Sequence, residues 1–280
     1  MIMLPYPNDV HEAPPGLDPR IRRFRCEGEV DTFVVETARW LVIVDTHSTP
    51  ALARRLAAQC IGPGDAQRLL VVNTHADYDH AWGNQIFGGP GASYSAPIVG
   101  HERCAERLSG DDGHLSSAKQ RELQPGRFDD LVLIPPDLTV GDGGLTIHGG
   151  DLTIVLVHTP GHTEDHLSAW IPELRVVLAG DAAEHPYPHI DTPVGIVQAR
   201  ASLARLQALD PLHVLPCHGG TTDPALLGRN IAYLDAVVAD PTLSLSEAAR
   251  IAGLGVDELE PLYQDFHADA LAASKQFPEH

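Results

Sequence analysis

The chain has 280 residues, 43% of them hydrophobic, enough to bury a sizeable core; 5% aromatics with 25 Gly and 23 Pro point to many short connections rather than a helix bundle. A formal net charge of −19 repels phosphate backbones and anionic lipid surfaces, which argues against nucleic acid and membrane as partners. The cysteines (Cys26, Cys60, Cys104, Cys217) form no C-x-x-C pair, and no secretory leader or membrane-length apolar run is visible, so a cytoplasmic protein with reduced thiols is expected.

Residues 1–20 are Pro-rich and read as an N-terminal arm. Strands are expected at Thr32–Glu36 and Trp40–Asp45, then a helix opened by Ser48-Thr49-Pro50 and running to about Gln59, then a buried strand at Leu69–Asn73. Near-continuous apolar strands alternating with helices signal a sheet covered by helices. His101–Leu108 and Leu115–Leu123 read as helices separated by a loop at Gly110–Gly113. Short strands are expected at Asp130–Ile134, Leu145–His148, Thr153–His158, Arg175–Ala179 and His213–Leu215. Residues 21–223 would form the main domain, with residues 224–280 a helical segment packed on it. Ser244–Leu259 has a helix–turn–helix cadence, but from Asp240 onward eight acidic residues stand against Arg250 and Lys275, so a packed helical pair is the better reading.

The chemistry gathers where strands end. After Asn73 come His75, Asp77, Asp79 and His80 within six residues, a density that packing does not explain. The Thr153–His158 strand is followed by Thr159-Pro160-Gly161-His162, the Arg175–Ala179 strand by Gly180-Asp181, and the His213–Leu215 strand by Pro216-Cys217-His218. Each is a buried strand, a turn of small residues, and a side chain able to bind metal. His158 and His166 flank His162, but Pro160 and Gly161 break any helix there, so outer hydrogen-bonding roles are expected. Asp45 is read as an anchor for loop amides. His47, at the end of its strand, is read as lying outside the pocket.

These motifs, in this order, resemble the metallo-β-lactamase superfamily, whose pattern is H-x-H-x-D-H followed by a single His, a single Asp and a single His. The resemblance spans about Thr32 to Gly220. It implies an α/β fold, a four-layer αββα sandwich, with two divalent metal ions at one edge. His75, Asp77 and His162 would hold the first and Asp79, His80 and His218 the second, with Asp181 bridging them. It further implies a hydrolase that uses a metal-activated hydroxide on a small ester, lactone, thioester or amide, with Asp79 relaying the proton. The departure is Asp77, where the family pattern has His. An anion in place of a neutral imidazole adds negative charge, which would move a site that is zinc by family toward iron or manganese. An iron-dependent oxidoreductase or oxygenase is therefore the alternative. His185, Tyr187 and His189 follow Asp181 in a Pro-rich run; they could line the pocket mouth and bind the small-molecule substrate, or be incidental surface residues. Self-association into a homo-oligomer is left open.

Overall fold

The computed structural model describes residues 10–25, 30–65 and 68–277. Cys26 and most of the first half of the N-terminal arm lie outside them. By contact density the chain divides into two compact units, Met1–Leu156 and Val157–His280.

The first unit is built on a seven-stranded sheet in simple chain order. Its antiparallel half comprises β1 (Val10–Glu12), β2 (Ile21–Arg25), β3 (Asp31–Glu36) and β4 (Leu41–Val44). The parallel half continues with β5 (Leu69–Val72), β6 (Ile98–His101) and β7 (Leu138–Val140). Strands LVIV and LLVV are buried at every position, as expected for central parallel strands covered on both faces. Helix α1 (Pro50–Cys60) crosses from β4 to β5; the Thr49 hydroxyl accepts from Leu52 N–H at 3.2 Å, and Pro50 sits in the first turn. Its buried stripe of Leu52, Ala53, Leu56 and Ala57 belongs to a core with Val34, Ile43 and Val71.

Beyond β5 lie α2 (Tyr78–Ala81), a 3-10 turn (Trp82–Ile86), α3 (Glu102–Ser109) and α4 (Asp111–Leu123). The loop expected at Gly110–Gly113 is corrected to one hinge residue, Gly110. Helix α4 starts at once, and Gly113 lies inside it because a Cβ there would stand 2.8 Å from the Arg107 carbonyl oxygen. Composition suggested a loop; the close approach of two helices is what requires the glycine. Residues 130–134 are likewise not a strand. Val132 N–H donates to the Gln85 side chain and the Ile134 carbonyl accepts from Asn84, so side chains satisfy this backbone in place of a ladder. Gly83 is tighter still: a Cβ would sit 2.0 Å from the Thr46 carbonyl oxygen and 2.6 Å from Ala53 Cβ. Gly83→Ala is therefore expected to cost about 2–3 kcal/mol through forced displacement, measurable as a lower denaturant midpoint with an unchanged slope.

The second sheet runs in the order β12–β11–β10–β9–β8, with β8 at Leu145–His148 and β9 at Thr153–His158. In the second unit, β10 (Leu167–Ile171) pairs antiparallel with β11 (Val176–Gly180), and β11 pairs parallel with β12 (His213–Pro216). Strand β10 was not expected because its polar Ser168 obscures the pattern; that hydroxyl is buried and donates to the Ala179 carbonyl at 2.9 Å. Helices α5 (Pro193–Ala208), α6 (Ala225–Ala239), α7 (Leu245–Ala252) and α8 (Pro261–Ser274) complete this unit. Their apolar faces share one core with Val177, Ala179 and Val214, so the helix–turn–helix cadence belongs to packing. Among the described residues, no helix is long and apolar enough to cross a membrane.

Candidate metal centre

In the first unit, the chain turns sharply as it leaves β4, with Asp45 at φ 69° and His47 at φ 63°. The Asp45 carboxylate, fully buried, is surrounded by donors. One oxygen accepts Thr74 N–H at 2.7 Å; the other accepts the Thr74 hydroxyl at 2.7 Å and lies 2.8 Å from His80 Nδ1. A carboxylate in this setting can only accept, so His80 Nδ1 carries a proton, and Nε2 is the nitrogen left to face a metal ion. The same reasoning extends to His75. The Thr74 hydroxyl gives its proton to Asp45, so it accepts from His75 Nδ1–H at 3.0 Å, which again leaves Nε2 to face a metal ion. One buried carboxylate thus sets the orientation of two neighbouring imidazoles, whose ring centroids are 4.1 Å apart. Asn73, Asn84 and Thr46 form a second buried network that ties the ends of β4 and β5 to the turn after α2.

The aspartates complete this half. Asp77 Oδ2 lies 3.6 Å from His75 Nε2, and Asp79 Oδ2 lies 3.8 Å from His80 Nε2. Asp77 occupies the N-cap position of α2 but makes no capping hydrogen bond. Instead, its Oδ1 accepts from the Arg107 guanidinium at 2.5 Å. Sequence reasoning missed Arg107, which sits in the last turn of a helix that carries no motif. His47 is fully buried with its ring against Phe24, centroids 5.3 Å apart; burial, with His80 nearby, pushes its pKa down to about 3 and keeps it neutral.

The second unit repeats the logic. His162 Nδ1 lies 2.9 Å from the His189 carbonyl oxygen, an obligatory acceptor, so Nε2 is again the nitrogen left to face a metal ion. Asp181 follows β11 directly, and its Oδ2 lies 3.8 Å from His162 Nε2 and 3.5 Å from His218 Nε2. One carboxylate oxygen thus faces two imidazole nitrogens. His166 has a different task. Its Nε2 accepts the Asp181 N–H at 3.0 Å, so its Nδ1–H donates to the Thr159 hydroxyl at 2.8 Å. Thr159 passes the chain on to Ser168 at 2.9 Å, and Ser168 to the Ala179 carbonyl. His166 therefore holds the Asp181 backbone, as the outer role read from the sequence requires. His158 likewise meets a carbonyl, that of Glu164, at 2.9 Å.

Glu184, which the sequence did not flag, is buried three residues after Asp181. Burial, with the nearby Asp181 carboxylate, raises its pKa to about 7. Asn230 of α6 pins its backbone by a hydrogen bond in each direction, and Glu184 Oε1 accepts His189 N–H at 3.2 Å. The three expected pocket-mouth residues fare differently. Tyr187 is corrected: it is fully buried, stacked on Tyr233 at 4.2 Å, and its hydroxyl donates to the Tyr263 carbonyl at 2.7 Å. His189 stacks its ring on Phe266 at 4.3 Å and pairs with Asp269 at 3.1 Å, so its side chain is directed at α8. His185 is half-buried, packed against Gly219, where a Cβ would lie 2.3 Å from the His185 carbonyl oxygen.

The donor set fits a divalent ion. Nitrogen–oxygen separations of 3.5–3.8 Å in all four imidazole–carboxylate pairs are too long for hydrogen bonds. They approximate the spacing of two ligands on one tetrahedral ion, roughly 3.4 Å when each bond is about 2.1 Å. Borderline nitrogen and hard oxygen donors together suit zinc, iron or manganese.

A family model, that of the metallo-beta-lactamase superfamily, matches residues 27–218, more than half of the chain. The chain belongs to the metallo-β-lactamase superfamily and is a hydrolase of that superfamily. A hydroxyacylglutathione hydrolase from Rhodospirillum rubrum is 27% identical over 251 residues, covering 90% of this chain and 77% of that protein. Among solved structures, a metallo-β-lactamase from Pontibacter korlensis superposes with a TM-score of 0.58 at 18% identity, over 81% of this chain and 99% of the other. An inverting sec-alkylsulfatase from Pseudomonas sp. reaches a TM-score of 0.66 at 14% identity, over 93% of this chain and 49% of the other. At these identities the structures speak for the fold, which is that of the superfamily.

Proposed function

We propose that this chain hydrolyses a small activated acyl compound, a thioester foremost and then an ester, lactone or amide, with two divalent metal ions, zinc first among them. His75, Asp77 and His162 would hold one ion, Asp79, His80 and His218 the other, and Asp181 would bridge them. The observation that carries the reading is the shared orientation of His75, His80 and His162. Each commits Nδ1 to an oxygen acceptor and leaves Nε2 beside a carboxylate. The thioester preference draws on the likeness to a hydroxyacylglutathione hydrolase.

When bound, the ions lower the pKa of a water and polarise the substrate oxygen. The rest falls to the chain. Asp45 and the His189 carbonyl hold the imidazoles in orientation and tautomer before any substrate arrives. His166 fixes the Asp181 backbone. The Asp79 carboxylate oxygen accepts and returns the proton of the attacking water. The alternative, an iron-dependent oxidoreductase or oxygenase, draws on the superfamily's members of that kind and on the added charge of Asp77; the Arg107 guanidinium against that carboxylate supplies a counter-charge and favours the hydrolase reading.

Protein purified without added metal is expected to contain about two ions per chain, as two-metal hydrolases do. Exhaustive chelation should abolish hydrolysis of a simple acyl thioester, and zinc should restore it. Hydrolysis that continues undiminished after chelation would refute the proposal.

A further inference from the structure

We propose that Arg107 is a specificity-determining residue for the metal: paired with Asp77, it lets a carboxylate act with the net charge of the imidazole it replaces, and so keeps the site selective for zinc. The inference rests on the reading of Asp77 as a metal ligand.

The two oxygens of Asp77 face different partners. Oδ1 accepts from the Arg107 guanidinium at 2.5 Å, while Oδ2 lies 3.6 Å from His75 Nε2. Neither oxygen caps α2, although Asp77 stands at the N-cap, so local helix chemistry does not account for its orientation. A carboxylate gripped at one oxygen by a planar cation offers the other as a single, directed donor. The guanidinium stays charged at any working pH, so the Asp77–Arg107 pair is neutral overall, as an imidazole is. Both side chains are about 30% exposed (31% and 30%), so water weakens the pairing without removing it.

The helix framework holds the cation in place. Arg107 lies in the last turn of α3, and α4 comes so close that Gly113 has no room for a Cβ beside the Arg107 carbonyl. Arg107 and Asp77 also share the wall of a cavity of about 220 Å³ with Tyr78, Trp82 and Lys119. Three carboxylates, Asp77, Asp79 and Asp181, would otherwise offset most of the charge on two divalent ions and favour harder cations such as manganese. With Arg107 counted, the balance returns to that of two carboxylates.

The test is equilibrium dialysis of metal-stripped protein against mixed zinc and manganese, read by elemental analysis. Arg107→Met is expected to shift the zinc-to-manganese occupancy ratio toward manganese by at least about tenfold, the scale on which outer partners tune a metal site. Arg107→Lys, which keeps the charge, should stay nearer wild type than Arg107→Met. In an Asp77→Asn background, Arg107→Met should change the ratio little, because the effect passes through Asp77. An unchanged ratio in Arg107→Met, with wild-type metal content, overturns the role of Arg107 and leaves the metal-centre reading intact. Wild-type protein that takes up neither ion overturns both.

Discussion

Asp181→Ala is expected to empty the metal centre and reduce hydrolysis by more than about a hundredfold, since even partners outside the ligand shell cost about 10–100-fold in affinity or activity. The reason is the position of Oδ2, 3.5 Å from His218 Nε2 and 3.8 Å from His162 Nε2, so that one carboxylate oxygen faces both imidazoles. Stability should move the opposite way in the metal-free protein. Asp181 and buried Glu184 repel each other, and that repulsion helps raise the Glu184 pKa to about 7. Removing Asp181 is therefore expected to leave the stripped protein at least as stable as wild type. Elemental analysis and thermal unfolding of the same sample separate lost ligation from misfolding. An Asp181→Ala protein with full metal content would end the ligand assignment.

Asp45 carries the second large effect, expressed first in folding. Asp45→Ala would leave the Thr74 amide, the Thr74 hydroxyl and His80 Nδ1–H without their acceptor in a fully buried space. Breaking a buried charged network by removing one member costs about 3–5 kcal/mol. For a chain of this size that corresponds to a fall in Tm on the order of 10 °C. Asp45→Asn keeps the volume but replaces one accepting oxygen with a donor, so it should fold better than Asp45→Ala yet still disturb the tautomers of His75 and His80. Its zinc affinity is expected to fall by about 10–100-fold. Wild-type affinity in Asp45→Asn would show that the histidines do not depend on this carboxylate.

Much of this design could be read in the chain beforehand, for a definite reason. Strands β4, β5, β9, β11 and β12 are short apolar runs that end in small or turn-forming residues, and the ligand-type side chains come directly after them. Local sequence therefore carried both the element and its cargo. The roles of Asp45 and His166 were accessible for the same reason, each lying within a few residues of a strand end. What escaped depended on distant partners. Arg107 meets Asp77 across a separation of 30 residues, and Asn230 reaches Glu184 across 46, with nothing local to announce either contact. Tyr187 looked like a surface residue because prolines surround it, while the aromatic rings that bury it come from α6 and α8. Gly113 suggested a loop, because a glycine that admits a neighbouring helix has the same letter as one that makes a turn.

The carbonyl that holds His162 belongs to His189, and the ring of that same residue is clasped by Phe266 and Asp269 of α8. The last helix lies downstream of the residues that match the superfamily, 27–218, and carries none of the ligating side chains. It nevertheless acts as a remote splint: whatever displaces α8 slackens an imidazole about a hundred residues upstream without touching it.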